Sequence, residues 1–255
     1  MNGDKPFRDK VVLITGGGSG IGRSTALAFA RAGAAVAVAG RRPRPLEETV
    51  RLIQETGAVG LAVPADITRR EDATRMVDTV VGVLGGLHIA VNNAGILGRP
   101  GLVGEVDDSN WAEVMAVNLT GTWLAMQYQI AHMMQQGGGA IINVASSVGP
   151  HMAVPGLGPY GAAKAAVVTL TKTAAKEYAR HGIRINAVSP GPVATSMNLL
   201  PGESEEDRDA RMGAPVPIGR IGRPEEVAEA ILWLAGPGAA FTVGHDLVVD
   251  GGSVL

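Results

Sequence analysis

Seven short runs of Val, Ile and Ala recur along the 255 residues, spaced widely enough for a helix between most neighbouring pairs, and few folds satisfy that rhythm. The runs are Lys10–Thr15, Ala35–Ala39, Ala58–Val63, Leu87–Asn92, Ala140–Ala145, Ile183–Val188 and His245–Val249. Between them, stretches near 20–32, 45–56, 69–84, 108–135, 158–181 and 224–235 repeat apolar residues with helical period. An apolar strand without a polar face needs cover on both sides, and intervening helices supply it. Right-handed crossovers then give an α/β fold, a doubly wound parallel sheet of seven strands with helices on both faces. No Pro/Ser-rich linker or break in composition interrupts the pattern, so a single domain over residues 1–255 is expected. Ser189–Arg223 is the exception, rich in proline, acidic at Glu203–Asp209 and without clear period. Its portion at about 190–222 reads as an irregular substrate loop.

Glycine is unusually frequent, 36 of 255 residues, and sits between the periodic segments rather than in a repeat or linker. Tight strand-to-helix turns and close backbone approach to a ligand account for that placement. The formal charge of −2, without a basic stretch, argues against a nucleic-acid partner. With Cys at 0, disulfides, thiolate nucleophiles and Cys-ligated metals are excluded, and no metal site is expected. The segment Met1–Lys10 is polar, with no apolar run behind it that makes a signal peptide, and no run reaches the roughly 18 apolar residues of a membrane span. A soluble cytoplasmic protein is expected, without a membrane partner.

The first strand runs through Thr15-Gly16-Gly17-Gly18-Ser19-Gly20-Ile21-Gly22 into a helical pattern. Glycines there let the backbone approach a pyrophosphate, and the following helix offers free N–H groups and its positive dipole end. The spacing is G-x-x-x-G-x-G rather than the usual dinucleotide fingerprint, and a tight turn alone also collects glycines. Position after the first strand and before a helix favours a nucleotide site.

Tyr160 and Lys164 open another helical stretch, and a spacing of four puts both on one face. A phenol titrates near 10, too high for a base at neutral pH, and a neighbouring ammonium favours the phenolate. A surface pair with no chemistry has the same spacing. Ser146-Ser147 ends the run Ala140–Ala145, at the strand edge where doubly wound sheets bind ligands, and a hydroxyl there is placed to polarise a carbonyl. Asn118 lies inside the apolar helical run Trp111–Gln135.

Together these residues identify a resemblance to the short-chain dehydrogenase/reductase family, in its branch of about 250 residues. The resemblance spans essentially the whole chain. It rests on Thr15–Gly22, Asp66 after the third strand, Asn92-Asn93-Ala94-Gly95 after the fourth, Asn118, Ser147, Tyr160 with Lys164, and Asn186-Ala-Val-Ser-Pro190-Gly191. It implies a Rossmann fold and an NAD(P)-dependent oxidoreductase interconverting a secondary alcohol and a ketone. Tyr160 would be the general acid/base and Lys164 would lower its pKa and hold the nicotinamide ribose. Ser147, thirteen residues before the tyrosine, would orient the substrate oxygen, and Asn118 would anchor a proton-relay water. Gly16, Ser19, Ile21 and Gly22 would hold the pyrophosphate and adenine ribose, Asp66 and Ile67 the adenine, Asn92 and Gly95 the ribose. Pro190, Gly191, Val193 and Thr195 would flank the carboxamide.

Cofactor choice turns on the end of the second strand, where NAD users commonly carry an Asp that accepts from the ribose hydroxyls and repels a phosphate. Here Gly40 holds that position, followed by Arg41 and Arg42. A guanidinium grips a phosphate through paired hydrogen bonds, which favours NADP(H). Ser19 stands where some NADP users carry a second cation, which keeps NAD(H) possible. Substrate walls are expected at Ile96–Val103, Val148–Leu157 and Thr195–Pro215, whose apolar balance suits a hydrophobic or cyclic alcohol, with His151 the one titratable group near Ser147. The resemblance also implies a homotetramer, a dimer of dimers pairing the Trp111–Gln135 and post-Tyr160 helices, with the C-terminal segment in a second contact. Two other functions are weighed. A nucleotide-sugar epimerase usually has TGxxGxxG and a longer C-terminal region. A catalytically weak NAD(P)-sensing regulator typically loses the Tyr or Lys.

Overall fold

The computed structural model describes residues 5–255; Met1–Asp4 of the polar N-terminal segment lie outside the described residues. Seven strands form one sheet: β1 (Val11–Thr15), β2 (Ala35–Gly40), β3 (Gly60–Pro64), β4 (Ile89–Asn92), β5 (Gly139–Val144), β6 (Ile183–Pro190) and β7 (Asp246–Val249). Their order is β3-β2-β1-β4-β5-β6-β7, every pairing parallel. The helices are α1 (Gly20–Arg31), α2 (Pro43–Glu55), α3 (Arg70–Leu84), α4 (Asp108–Met115), α5 (Gly121–Gln136), α6 (Gly158–Tyr178), α7 (Glu205–Gly213) and α8 (Pro224–Ala235). Among the described residues, no helix is long and apolar enough to cross a membrane.

Strand alternation divides the core into two layers. Val12 and Ile14 join Val36 and Val38 against Phe29 of α1, Leu46 and Ile53 of α2 and Ile231 of α8. Val11 and Leu13 face the other way, towards Met76 of α3, Met126 and Met133 of α5 and Ala174 of α6. Burial on both faces explains why these strands read as unbroken apolar runs.

Two segments differ from the sequence expectation. The single helix expected over 108–135 is split by a π-helical turn at Ala116–Thr120 between α4 and α5. The irregular stretch contains α7, whose N-cap Ser204 accepts from the Asp207 N–H at 3.1 Å. The acidic cluster is the first turn of that helix, where carboxylates complement the dipole. Strand order reverses between β1 and β4, and their carboxyl ends open into a crevice.

Candidate active site

A cleft of about 860 Å³ lies along those strand ends. The Gly-rich turn forms its floor. Gly16 has φ of +66°, and a Cβ there would meet Asn93 Nδ2 at 2.8 Å and the Ala94 Cα at 2.9 Å. Bare backbone is therefore required where the turn passes β4's exit. Arg23, which sequence reasoning missed, fastens the turn: it donates to the Gly18 carbonyl at 2.7 Å and to Thr49 Oγ1 of α2 at 3.1 Å. Ser19 holds the N-cap position of α1 without a side-chain cap hydrogen bond, and Ser19, Gly20 and Ile21 at that helix start line the cleft.

Of the residues expected to hold a cofactor, Gly16, Ser19, Ile21, Arg41, Asp66, Ile67, Gly95 and Thr195 line this cleft. Gly22, Asn92, Tyr160, Lys164, Pro190, Gly191 and Val193 do not. Val193 is packed in the core, and Gly191 is pressed against Asp250, 2.6 Å from where its Cβ would stand. Asn92 ends β4 pointing inward: its amide exchanges hydrogen bonds with Gln129 at 2.8 and 3.0 Å and donates to Asn143 at 2.9 Å. Asn93, one position on, faces the cleft and donates to the Thr15 and Gly16 carbonyls. Gly40, Arg42 and Met197 also line it. Bare backbone at the turn, a helix N-terminus and two arginines fit a dinucleotide whose phosphates lie across the α1 end.

The chemistry-bearing side chains gather at the start of α6. Lys164, 5% exposed, donates to the Val144 carbonyl at 2.7 Å, and its ammonium lies 5.8 Å from the centre of the Tyr160 ring. Burial pulls its pKa down to about 8. Burial pushes the Tyr160 phenol up, partly offset by the nearby Ser146 hydroxyl. Ser146 Oγ also accepts from the Val148 N–H at 3.1 Å. Ser147 is buried, and its backbone N–H donates to the Pro190 carbonyl at 2.9 Å. Asn118, fully buried in the π-helical turn, spends its amide on the backbone of Ile96. A Cβ on Gly95, which lines the cleft, would stand 2.9 Å from Asn118 Oδ1 and 3.5 Å from Lys164 Nζ, so only a bare glycine leaves room beside the ammonium. In the loop between Ser147 and α6, His151 pairs through Nε2 with Asp246 Oδ2 of β7 at 2.8 Å, and Ser189 donates to Asp246 Oδ1 at 2.7 Å.

The phenol, the serine hydroxyls and the ammonium gathered at the start of α6 are groups suited to moving a proton on or off a carbonyl oxygen, and the cleft suits a dinucleotide. That defines a nucleotide-dependent oxidoreductase of the doubly wound class. Residues 16–253 match the family model described as enoyl-(acyl carrier protein) reductase. A cyclohexanol dehydrogenase from an Acinetobacter species is 42% identical, over 96% of this chain and 95% of its own length. The 2-(S)-hydroxypropyl-CoM dehydrogenase 3 of Xanthobacter autotrophicus is 39% identical over 96% and 97%. A crystal structure of a short-chain type dehydrogenase/reductase from Mycobacterium marinum superposes with a TM-score of 0.92 at 38% identity, covering 98% of this chain and 97% of that one. The chain belongs to the short-chain dehydrogenase/reductase family, and it is an NAD(P)-dependent oxidoreductase of alcohols and ketones.

Proposed function

We propose that the protein interconverts a hydrophobic, cyclic secondary alcohol and its ketone, with NADP(H) preferred to NAD(H). The observation that carries the reading is Tyr160, half-buried at the start of α6, with Lys164 one turn on and its ammonium 5.8 Å from the centre of the ring. The nicotinamide, when bound, supplies the hydride acceptor or donor. Tyr160 takes the hydroxyl proton in oxidation and returns it to the carbonyl oxygen in reduction. Ser147, thirteen residues before the tyrosine, orients that oxygen by a second hydrogen bond. Lys164 holds the ribose hydroxyls and, as an ammonium below about 8, favours the phenolate. Asn118 keeps Ile96, and with it the cleft wall, beside Lys164. Asp66 and Ile67 hold the adenine, while Thr195, backed by Pro190, Gly191 and Val193, flanks the carboxamide.

Preference for the phosphorylated cofactor rests on Arg41 and Arg42, which line the cleft, stand exposed and make no ion pair among the described residues. Gly40 puts no carboxylate against a phosphate, and a Cβ there would touch only Leu46, at 3.6 Å. The cyclic substrate class is supported by Leu97 and Met197 in the cleft and by the name of the cyclohexanol dehydrogenase relative. The same reading makes about 190–222, with α7, the substrate loop of a single domain, and the nicotinamide pool implies a cytoplasmic location. Exposed Trp111, Trp123, Phe241 and Leu255 support a homotetramer.

The test is kcat/KM for cyclohexanol-type alcohols and ketones with both cofactors. The wild type is expected to favour NADP(H), Arg41→Ala to lose that preference, and Gly40→Asp to reverse it. Tyr160→Phe and Ser147→Ala are each expected to lower kcat by about 10²-fold or more, and Ser146→Ala far less. Equal losses at the two serines, or a wild type that prefers NAD(H), refute the respective assignments.

A further inference from the structure

Two buried asparagines grip one short stretch of the cleft wall in the same manner. Asn118 accepts from the Ile96 N–H at 2.8 Å and donates to the Ile96 carbonyl at 2.8 Å. Asn110, in the first turn of α4, accepts from the Arg99 N–H at 2.9 Å and donates to the Arg99 carbonyl at 2.9 Å. Asn110 is 3% exposed and Asn118 0%. A primary amide that satisfies both backbone groups of one residue replaces a strand partner, so Ile96–Arg99 is held at both ends although it belongs to no sheet.

The stretch between the clamps is what the cleft sees. Leu97 and Gly98 line it, continuing the wall from Gly95 beside Lys164. Gly98 has φ of +77°, and a Cβ there would collide with Val114 of α4 and approach Asn110 Oδ1 to 2.8 Å. The loop is therefore pressed onto α4 with no room to slide. The N-cap Asp107 adds to the grip: it accepts from the Asn110 N–H at 2.8 Å and takes the Arg99 guanidinium on both oxygens at 2.8 Å.

We infer that Asn110 is a positioning residue for substrate selection, fixing Leu97 and Gly98 as the rigid wall against which the alcohol's ring packs. The inference rests on the alcohol/ketone reading proposed above. Asn118 shares the task but also stands next to Lys164, so its loss disturbs the chemistry as well. Asn110 clamps the far end of the wall, at Arg99, and reports on the wall itself.

The experiment compares wild type, Asn110→Ala and Asn110→Asp with a series of secondary alcohols graded in ring size, at saturating cofactor. Cofactor Kd and hydrogen exchange of the Arg99 amide are measured beside the kinetics. Asn110→Ala is expected to raise KM about tenfold, to flatten the preference among ring sizes and to leave kcat within about twofold. Its cofactor Kd is expected to be unchanged and its Arg99 amide to exchange faster. Asn110→Asp keeps the acceptor for the Arg99 N–H, so it is expected to fall between the two, and it carries the comparison if Asn110→Ala does not fold. Unchanged KM and ring preference with a deprotected Arg99 amide overturn the inference. So does a rise in KM matched by an equal rise in cofactor Kd. If the wild type turns over no alcohol or ketone, the proposed function fails; the clamp is then judged by exchange alone, and an Arg99 amide equally protected in Asn110→Ala overturns it.

Discussion

Lys164 surrenders its hydration for one carbonyl, and an ammonium so placed costs the fold free energy. The unfolded lysine titrates at 10.5 and the folded one at about 8, so between those values the unfolded chain binds more protons and stability rises with pH. Below about 8 the penalty is present in full, on the order of 3 kcal/mol; above 10.5 it is gone. Lys164→Met is accordingly expected to be inactive yet to melt higher than wild type at pH 7, with the advantage fading as pH rises from about 8 to 10.5. Thermal melts of both proteins across that range decide it, and a pH-independent difference refutes burial of charge as the cause. Residues at this scale were unequally legible in the sequence. Tyr160 and Lys164 could be paired because helical period alone stacks them. Asn92 and Asn93 were less legible: neighbours on an extended segment face opposite ways, which sends Asn92 into the interior and Asn93 into the cleft.

Among the elements, strands and long helices were readable within a residue or two because burial on both faces, or on one stripe, writes a period into the sequence. α7 has no such stripe. In its nine residues only Arg208 and Gly213 are buried, and its one sequence signal is the cap, Ser204 with Asp207 three positions on. Beyond the cap, the helix is held by Arg211, which pairs with Glu203 and donates to the Asn198 carbonyl at 2.9 Å. Ser204→Ala is expected to cost about 1 kcal/mol locally, seen as faster hydrogen exchange over 205–213 and quicker tryptic cleavage at Arg208 and Arg211. Substrate KM should rise while cofactor Kd stays fixed, since the nucleotide end of the cleft is built elsewhere. Loss of cofactor binding in this variant speaks against α7 as part of a substrate loop. The π-helical turn was equally invisible, because one extra residue in a helical turn leaves the apolar pattern of 108–135 almost intact.

For the whole molecule, the exposed faces make a prediction about assembly. Trp111 and Trp123 are 48% and 42% exposed on α4 and α5, and Phe241 and Leu255 are fully exposed. Exposed apolar side chains of this size call for cover by other copies, so light scattering at micromolar concentration is expected to give four copies, and Trp123→Glu to give a smaller species. A monomeric wild type refutes this. The sheet order carries a further consequence, for a chain still being made. Once β4 lies against β1, every later strand is laid beside the one that left the ribosome before it, and none has to enter between strands already joined. The final strand, β7, is only an edge, yet its Asp246 is what His151 and Ser189 fasten onto. The loop leading to Tyr160 is therefore tied down only after residue 246 has been synthesised, long after every glycine of the nucleotide turn is in place. A nascent chain of this protein completes its nucleotide turn early and fastens the loop before Tyr160 only once β7 has been made.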